Sequence, residues 1–97
     1  MDMSEPLLDA WRPLSKAIEL EPSNEIFREA RGHMALKLIS MDVPDIPGLV
    51  EPRSAAVEDW EFLVTNVYNS RDVFGILEKA YDHARVPKEA RLPSPPE

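Results

Sequence analysis

Two histidines, His33 and His83, have the ordinary pKa that suits acid–base chemistry near neutral pH. Each has acidic neighbours: Glu29 lies four residues before His33, and Glu78 and Asp82 precede His83. On a helix, Glu29 and His33 share a face, so they could join in binding a metal or form an exposed pair. A zinc site takes three or four converging ligands, mostly histidine and cysteine, and the chain has no cysteine. We therefore expect no metal and no cofactor.

Motifs for nucleophilic catalysis or phosphate binding are missing from the sequence. The serines fall at predicted helix caps or polar positions, outside any Gly-x-Ser-x-Gly turn. The glycines, Gly32, Gly48 and Gly75, are isolated and cannot build a phosphate-binding loop. Carboxylates are abundant, but acid–base catalysis needs two in different environments across a pocket, for which short helices leave little room. We predict that the chain is not an enzyme, although a non-catalytic or auxiliary subunit of a larger enzyme stays open.

The charge of the chain excludes two classes of partner. Eighteen acidic residues against eleven basic ones give a formal net charge of −7. Such a surface repels nucleic acid and anionic lipid, which need basic side chains to replace their counterions. No stretch approaches the roughly 20 apolar residues of a membrane span, and the first residues lack the pattern of a signal peptide. We expect a cytoplasmic protein without direct nucleic-acid or membrane binding.

The acidic residues leave two interpretations open. They keep the protein soluble, or they attract a basic partner, including by imitating nucleic acid as some phage inhibitors and antitoxins do. Mimicry requires unpaired carboxylates in a row on one face. Two groups of acidic residues are candidates. The group around the first predicted turn contains Glu19, Glu21, Glu25 and Glu29. The group around a later predicted helix start contains Glu58, Asp59 and Glu61.

The elements that position these residues are predicted to be helices. Apolar residues recur with helical spacing over residues 5–20, 24–41, 55–68 and 71–85, which predicts an all-α bundle of about four helices. Pro13 falls inside the first helix, so that helix is expected to kink or to break and restart there. A proline-rich loop, 42–53, joins the middle helices. The helical domain spans 1–86, and 87–97 forms an extended, proline-rich tail.

The second helix is predicted to lie in the middle of the bundle, because it has two apolar sides. The first side contains Phe27, Ala30, Met34, Leu38 and Met41, and the second contains Gly32, Ala35, Leu36 and Ile39. Two such sides need packing partners on both. Exposure of Leu36 and Ile39 would assign the second side to another subunit.

The stretch LSKAIELEPSNEIFREARG, residues 14–32, resembles the junction between two tetratricopeptide repeats. Ala17 and Pro22 match the late alanine and the turn proline of that family, and Gly32 matches the small eighth residue of the following repeat. The resemblance implies two helices packed at a close angle, in a family that binds peptides. DVPDIPG interrupts the pattern where a further repeat would continue. We take the stretch to predict one helical hairpin.

The function predicted from the sequence is binding to another protein, as an accessory subunit, an adaptor or a homodimer. Phe62 projects away from the apolar arc of its helix, so it contacts either the loop or tail of its own chain or, as an aromatic anchor of an interface does, another chain. In the loop, Ile46 and Leu49 either close the core or dock onto a partner. The predicted partner-contacting residues are Leu36, Ile39, Ile46, Leu49, Phe62, Pro93 and Pro95.

Overall fold

The structure, a computed structural model, describes residues 4–43 and 50–93. These residues form four α-helices: α1 (Ser4–Leu20), α2 (Glu25–Ser40), α3 (Pro52–Asn66) and α4 (Arg71–Ala84). A short 3-10 turn, Lys88–Ala90, follows α4. The prediction of a small all-α bundle is confirmed. Within the described ranges, no helix combines the length and apolar character needed to cross a membrane.

Helix α1 runs as one element through Pro13, so it does not break and restart there. Pro13 is exposed, and the apolar register continues across it to the buried Ile18. Trp11 is fully buried and donates its indole N–H to the carbonyl oxygen of Val50 at 3.0 Å. This bond ties α1 to the chain just before α3.

The turn between α1 and α2 forms the predicted helical hairpin. Asn24 caps α2 by accepting the backbone N–H of Phe27 at 3.1 Å. Its own N–H donates to the carbonyl of Glu21 at 3.1 Å, which closes a tight turn. Glu25 occupies the first turn of α2, where the helix dipole favours a negative charge.

Helices pack against their neighbours along the chain: α2 contacts α1 and α3, and α3 contacts α4. Both α2 and α3 therefore lie in the middle of the bundle. The apolar side containing Ala35 and Ile39 is buried, and Leu36 is half-buried against the core. That side is thus covered within the chain. The first side differs from expectation at Ala30, which is exposed.

Helix α2 packs tightly against a side chain of α3 at Gly32. A Cβ atom at this position would lie 2.9 Å from Nε1 and 3.0 Å from Cε2 of Trp60. Trp60 is 2% exposed and fills the space between the helices. The imidazole of His33 meets the same indole edge to face, with 4.9 Å between the ring centroids.

Helix α3 begins at Pro52, three residues before the predicted start at residue 55. Glu51 is the N-cap residue, so Ser54, one of the serines taken as a candidate cap, lies inside the helix. Proline suits the first helical position because its φ angle is preset and its missing N–H would have no partner there. The predicted proline-rich loop is shortened accordingly. Ile46 and Leu49 lie outside the described residues.

The described part of the tail, residues 87–93, contacts α4. Arg91 donates Nε–H to the carbonyl of Val86 at 2.9 Å and Nη1–H to Asp82 at 3.0 Å. The N–H of Leu92 donates to the hydroxyl of Tyr81 at 3.0 Å. The extended conformation of the whole tail, 87–97, stays a prediction. Pro93 is exposed, and Pro95 lies outside the described residues.

We expect Gly32→Ala to destabilise the protein by about 1–3 kcal/mol, because the added methyl group displaces the buried indole of Trp60. Gly75→Ala is the matched control. A Cβ at Gly75 meets nothing within 4 Å, so the gain in helix propensity should stabilise α4 by about 0.5–1 kcal/mol. Urea unfolding measures both changes. Equal effects of the two substitutions would contradict the close contact at Gly32.

Candidate functional site

A buried ionic cluster joins α2 to α3. Asp59 is 0% exposed and lies between Arg28 and Arg31, which are also buried. Its carboxylate accepts Nη1–H of Arg28 at 2.9 Å, and Nε–H and Nη2–H of Arg31 at 2.7 and 2.8 Å. Glu58, at the solvent edge, accepts a further bond from Arg28 at 3.0 Å. We call Arg28, Arg31, Glu58 and Asp59 the arginine–aspartate cluster.

The cluster also fixes the α1–α2 turn. Nε–H of Arg28 donates to the carbonyl of Pro22 at 2.8 Å. Burial by itself lowers the pKa of Arg28, but the hydrogen bonds and charges of Asp59 and Glu58 outweigh it and raise that pKa. Arg28 thus stays charged while it connects the turn, α2 and α3.

A second network holds the end of the chain. Tyr81 is 0% exposed and donates its hydroxyl proton to Glu61 at 2.6 Å. The same hydroxyl oxygen accepts the N–H of Leu92, and the guanidinium of Arg91 lies 5.3 Å from the ring centroid. Burial, together with the bond to Glu61, raises the pKa of Tyr81 to about 12.

These networks engage the whole acidic group in the middle of α3. Asp59 is buried, Glu58 is paired with two arginines, and Glu61 accepts the hydroxyl of Tyr81. These three acidic side chains therefore have partners within the chain. The buried arginines and aspartate carry a net charge of +1, which leaves −8 on the other side chains of a chain whose formal charge is −7.

Large apolar side chains are most exposed at the α1–α2 turn. Leu20, the last residue of α1, is 73% exposed, and Ile26, in the first turn of α2, is 76% exposed. Because the turn between them is tight, both lie at the same end of the hairpin. Glu21 and Glu25 are exposed on either side of the turn.

Tyr68 extends this surface from the chain just after α3. Its ring is 37% exposed. A hydrogen bond with Glu29, reinforced by partial burial and by the charges of Glu29 and Glu25, raises the pKa of Tyr68. We call Leu20, Ile26 and Tyr68, with the acidic side chains Glu19, Glu21, Glu25 and Glu29, the hairpin surface.

Sequence reasoning named the four acidic residues of the hairpin surface but not Leu20, Ile26 or Tyr68, although a signal for the two aliphatic residues was present. Ile26 belongs to neither apolar side of α2, and Leu20 follows the last core residue of α1, Ile18. Helical periodicity thus marks both as apolar residues that the core does not use. That they meet at one turn depends on the hairpin geometry.

The residues predicted to contact a partner are scattered over the structure. Ile39 is buried and Leu36 half-buried in the core. Phe62 is half-buried and lies beneath the guanidinium of Arg28, 5.1 Å from its ring centroid, so its contact is within the chain. Partner binding at these positions, at Pro93 and at the undescribed Ile46, Leu49 and Pro95 stays a prediction.

The two histidines are in unrelated settings. His33 contacts Trp60, and Glu29 bonds to Tyr68, so the supposed Glu29–His33 pair has other partners. His83 lies on an open cleft of about 510 Å³ with Arg53 and Arg85. Among the described residues, no group of three histidine, cysteine or acidic side chains is arranged to hold a metal.

No protein-family model, curated protein or solved structure matches this chain. Function is therefore inferred from the side chains themselves.

We expect Asp59→Asn to destabilise the protein by about 3–5 kcal/mol, because it leaves two buried guanidinium groups with only Glu58, at the solvent edge, as a counter-ion. Asp9→Asn removes the same charge from an exposed position of α1 and should change the stability by less than about 0.5 kcal/mol. Chemical denaturation measures both. A loss below about 1 kcal/mol for Asp59→Asn would show that the buried pairing contributes little.

We expect stabilisation by the Tyr81 hydroxyl to be lost at high pH. Its pKa is raised from 10.0 to about 12 on folding, so the folded state holds the proton more tightly. The contribution is complete below the unfolded pKa and disappears as pH rises through the folded pKa. The difference in unfolding free energy between wild type and Tyr81→Phe should therefore shrink between pH 10 and about 12. A constant difference across this range would contradict the raised pKa.

Proposed function

We propose that this protein acts by binding another protein through the hairpin surface, as an accessory subunit or adaptor. The observation that carries the proposal is the exposure of Leu20 and Ile26, 73% and 76%, at one turn. Single exposed apolar residues are ordinary on soluble proteins. Two large aliphatic side chains at the same turn, with acidic residues around them, have the composition of an interface.

The turn is held in place before any partner arrives. The side chain of Asn24 caps α2, and Arg28 bonds to the carbonyl of Pro22 at 2.8 Å. Arg28 is itself held by Asp59 at 2.9 Å. A surface that is already ordered loses less conformational entropy on binding, which favours affinity.

The settings of the histidines support binding rather than catalysis. An acid–base mechanism would need a histidine and a carboxylate to meet in a pocket that excludes water. His33 instead contacts the indole of Trp60, and His83 lies on an open cleft. Imitation of nucleic acid has little support at α3, because Glu58, Asp59 and Glu61 all have bonding partners within the chain.

We expect Leu20→Ser combined with Ile26→Ser to abolish capture of the native partner from a lysate of the source cells. The substituted side chains are exposed, so the thermal unfolding temperature should change little. Leu92→Ser is the control, since Leu92 is 37% exposed in the chain after α4. A crosslinker placed at position 20 or at position 26 fixes the bound protein, which mass spectrometry then identifies.

The control variant should retain that protein at wild-type yield. Equal capture by wild type and by the Leu20/Ile26 variant would contradict the assignment of the function to the hairpin surface.

A further inference from the structure

We infer that the hairpin surface binds a basic amphipathic helix of a different protein, one that presents an apolar stripe flanked by lysine or arginine. This inference rests on the proposed function and specifies the chemistry of its partner. The apolar contact and the charge are supported by separate observations. Leu20 and Ile26 supply the apolar contact, and the acidic side chains around them supply the charge.

The apolar contact suits a helix laid across the turn. Leu20 is the last residue of α1 and Ile26 is the second residue of α2, so both lie at the end of the hairpin that carries the turn. A flat apolar stripe with residues at helical spacing covers two such neighbouring side chains at once. Tyr68, 37% exposed, adds an aromatic face on which a guanidinium can stack.

The charge at this surface is negative, because Glu19, Glu21 and Glu25 are exposed there. Arg28 and Arg31 are basic residues in the first half of α2, but both turn inward to Asp59. Lys16 lies 3.7 Å from Glu19, and this pair is 67% and 72% exposed, so water weakens it. The exposed carboxylates therefore attract a cationic partner.

The same charge disfavours a second copy of this chain as the occupant. In a two-fold dimer the same patch faces itself, so the acidic residues around Leu20 and Ile26 would meet their own copies. Like charges placed opposite one another across an interface are costly. The formal net charge of −7 on each chain adds to that repulsion. This repulsion is absent when the partner is a different protein with a basic surface.

Binding of a defined peptide to the full-length, ¹⁵N-labelled protein tests the inference. The probe is a synthetic helical peptide with leucines on one face and lysines on the other. Its control is a peptide of the same composition in scrambled order, which has the same charge but no stripe. We expect chemical-shift changes at residues 19–26 and Tyr68, and binding at least about tenfold weaker for the scrambled peptide.

Two sets of variants separate the apolar contact from the charge. Leu20→Ser combined with Ile26→Ser should weaken binding of the striped peptide about tenfold or more while its dependence on salt persists. Glu21→Gln combined with Glu25→Gln should weaken binding and flatten that dependence on salt. Asp72→Asn combined with Glu78→Gln removes two charges from exposed positions of α4 and should have a smaller effect.

Three results would overturn the inference. Equal binding of the striped and scrambled peptides would show attraction to charge alone. Equal weakening by the α4 and hairpin charge variants would show that the acidic residues of the turn have no special part. Concentration-dependent self-association that Leu20→Ser and Ile26→Ser abolish would identify a second copy as the occupant.

The proposed function can survive the failure of this inference. If the native partner requires Leu20 and Ile26 for capture but the striped peptide does not bind, the surface is an interface for a partner of other chemistry. If the peptide binds elsewhere and capture of the native partner does not depend on Leu20 and Ile26, both proposals fail. Should the serine variant unfold, Glu21→Lys combined with Glu25→Lys replaces it and is expected to abolish peptide binding.

Discussion

The pairing of Asp59 with Arg28 and Arg31 is the constraint on which the rest of the structure depends. It fixes α2 against α3 and, through the bond from Arg28 to the Pro22 carbonyl, fixes the turn that carries the hairpin surface. Removing charge from water is costly, so such a cluster contributes less net stability than its short distances suggest. Its effect is on geometry, because the carboxylate accepts three bonds from two guanidinium groups in one arrangement.

The apolar core supports the same arrangement at the same helix pair. Gly32 lets the indole of Trp60 lie directly against the backbone of α2, where any larger residue would force the helices apart. The ionic and apolar contacts thus select one register of α2 on α3. Tyr81 has a comparable role at the other end of the chain, since its hydroxyl joins α4 to Glu61 of α3 and to the backbone of Leu92.

One consequence is a division of the charges between inside and outside. Two of the eleven basic residues are buried with Asp59, so the surface is more acidic than the composition suggests. The acidic group in the middle of α3 has partners within the chain, whereas Glu21 and Glu25 are exposed next to Leu20 and Ile26 in sequence. The exposed carboxylates at the α1–α2 turn are the ones on which the proposed attraction to a basic partner rests.

The sequence by itself determined the all-α class, the four helices to within a few residues and the hairpin at Pro22, because apolar periodicity and capping residues act locally. It also marked Ile26 as unused by the core of α2. Only the tertiary structure decided that Arg28 and Arg31 turn inward, that Phe62 lies under Arg28, and that the tail folds onto Tyr81. Helical periodicity alone predicts that every charged side chain faces solvent. Burial of a charge depends on a counter-ion supplied by another helix, and that pairing is set by packing between segments distant in sequence.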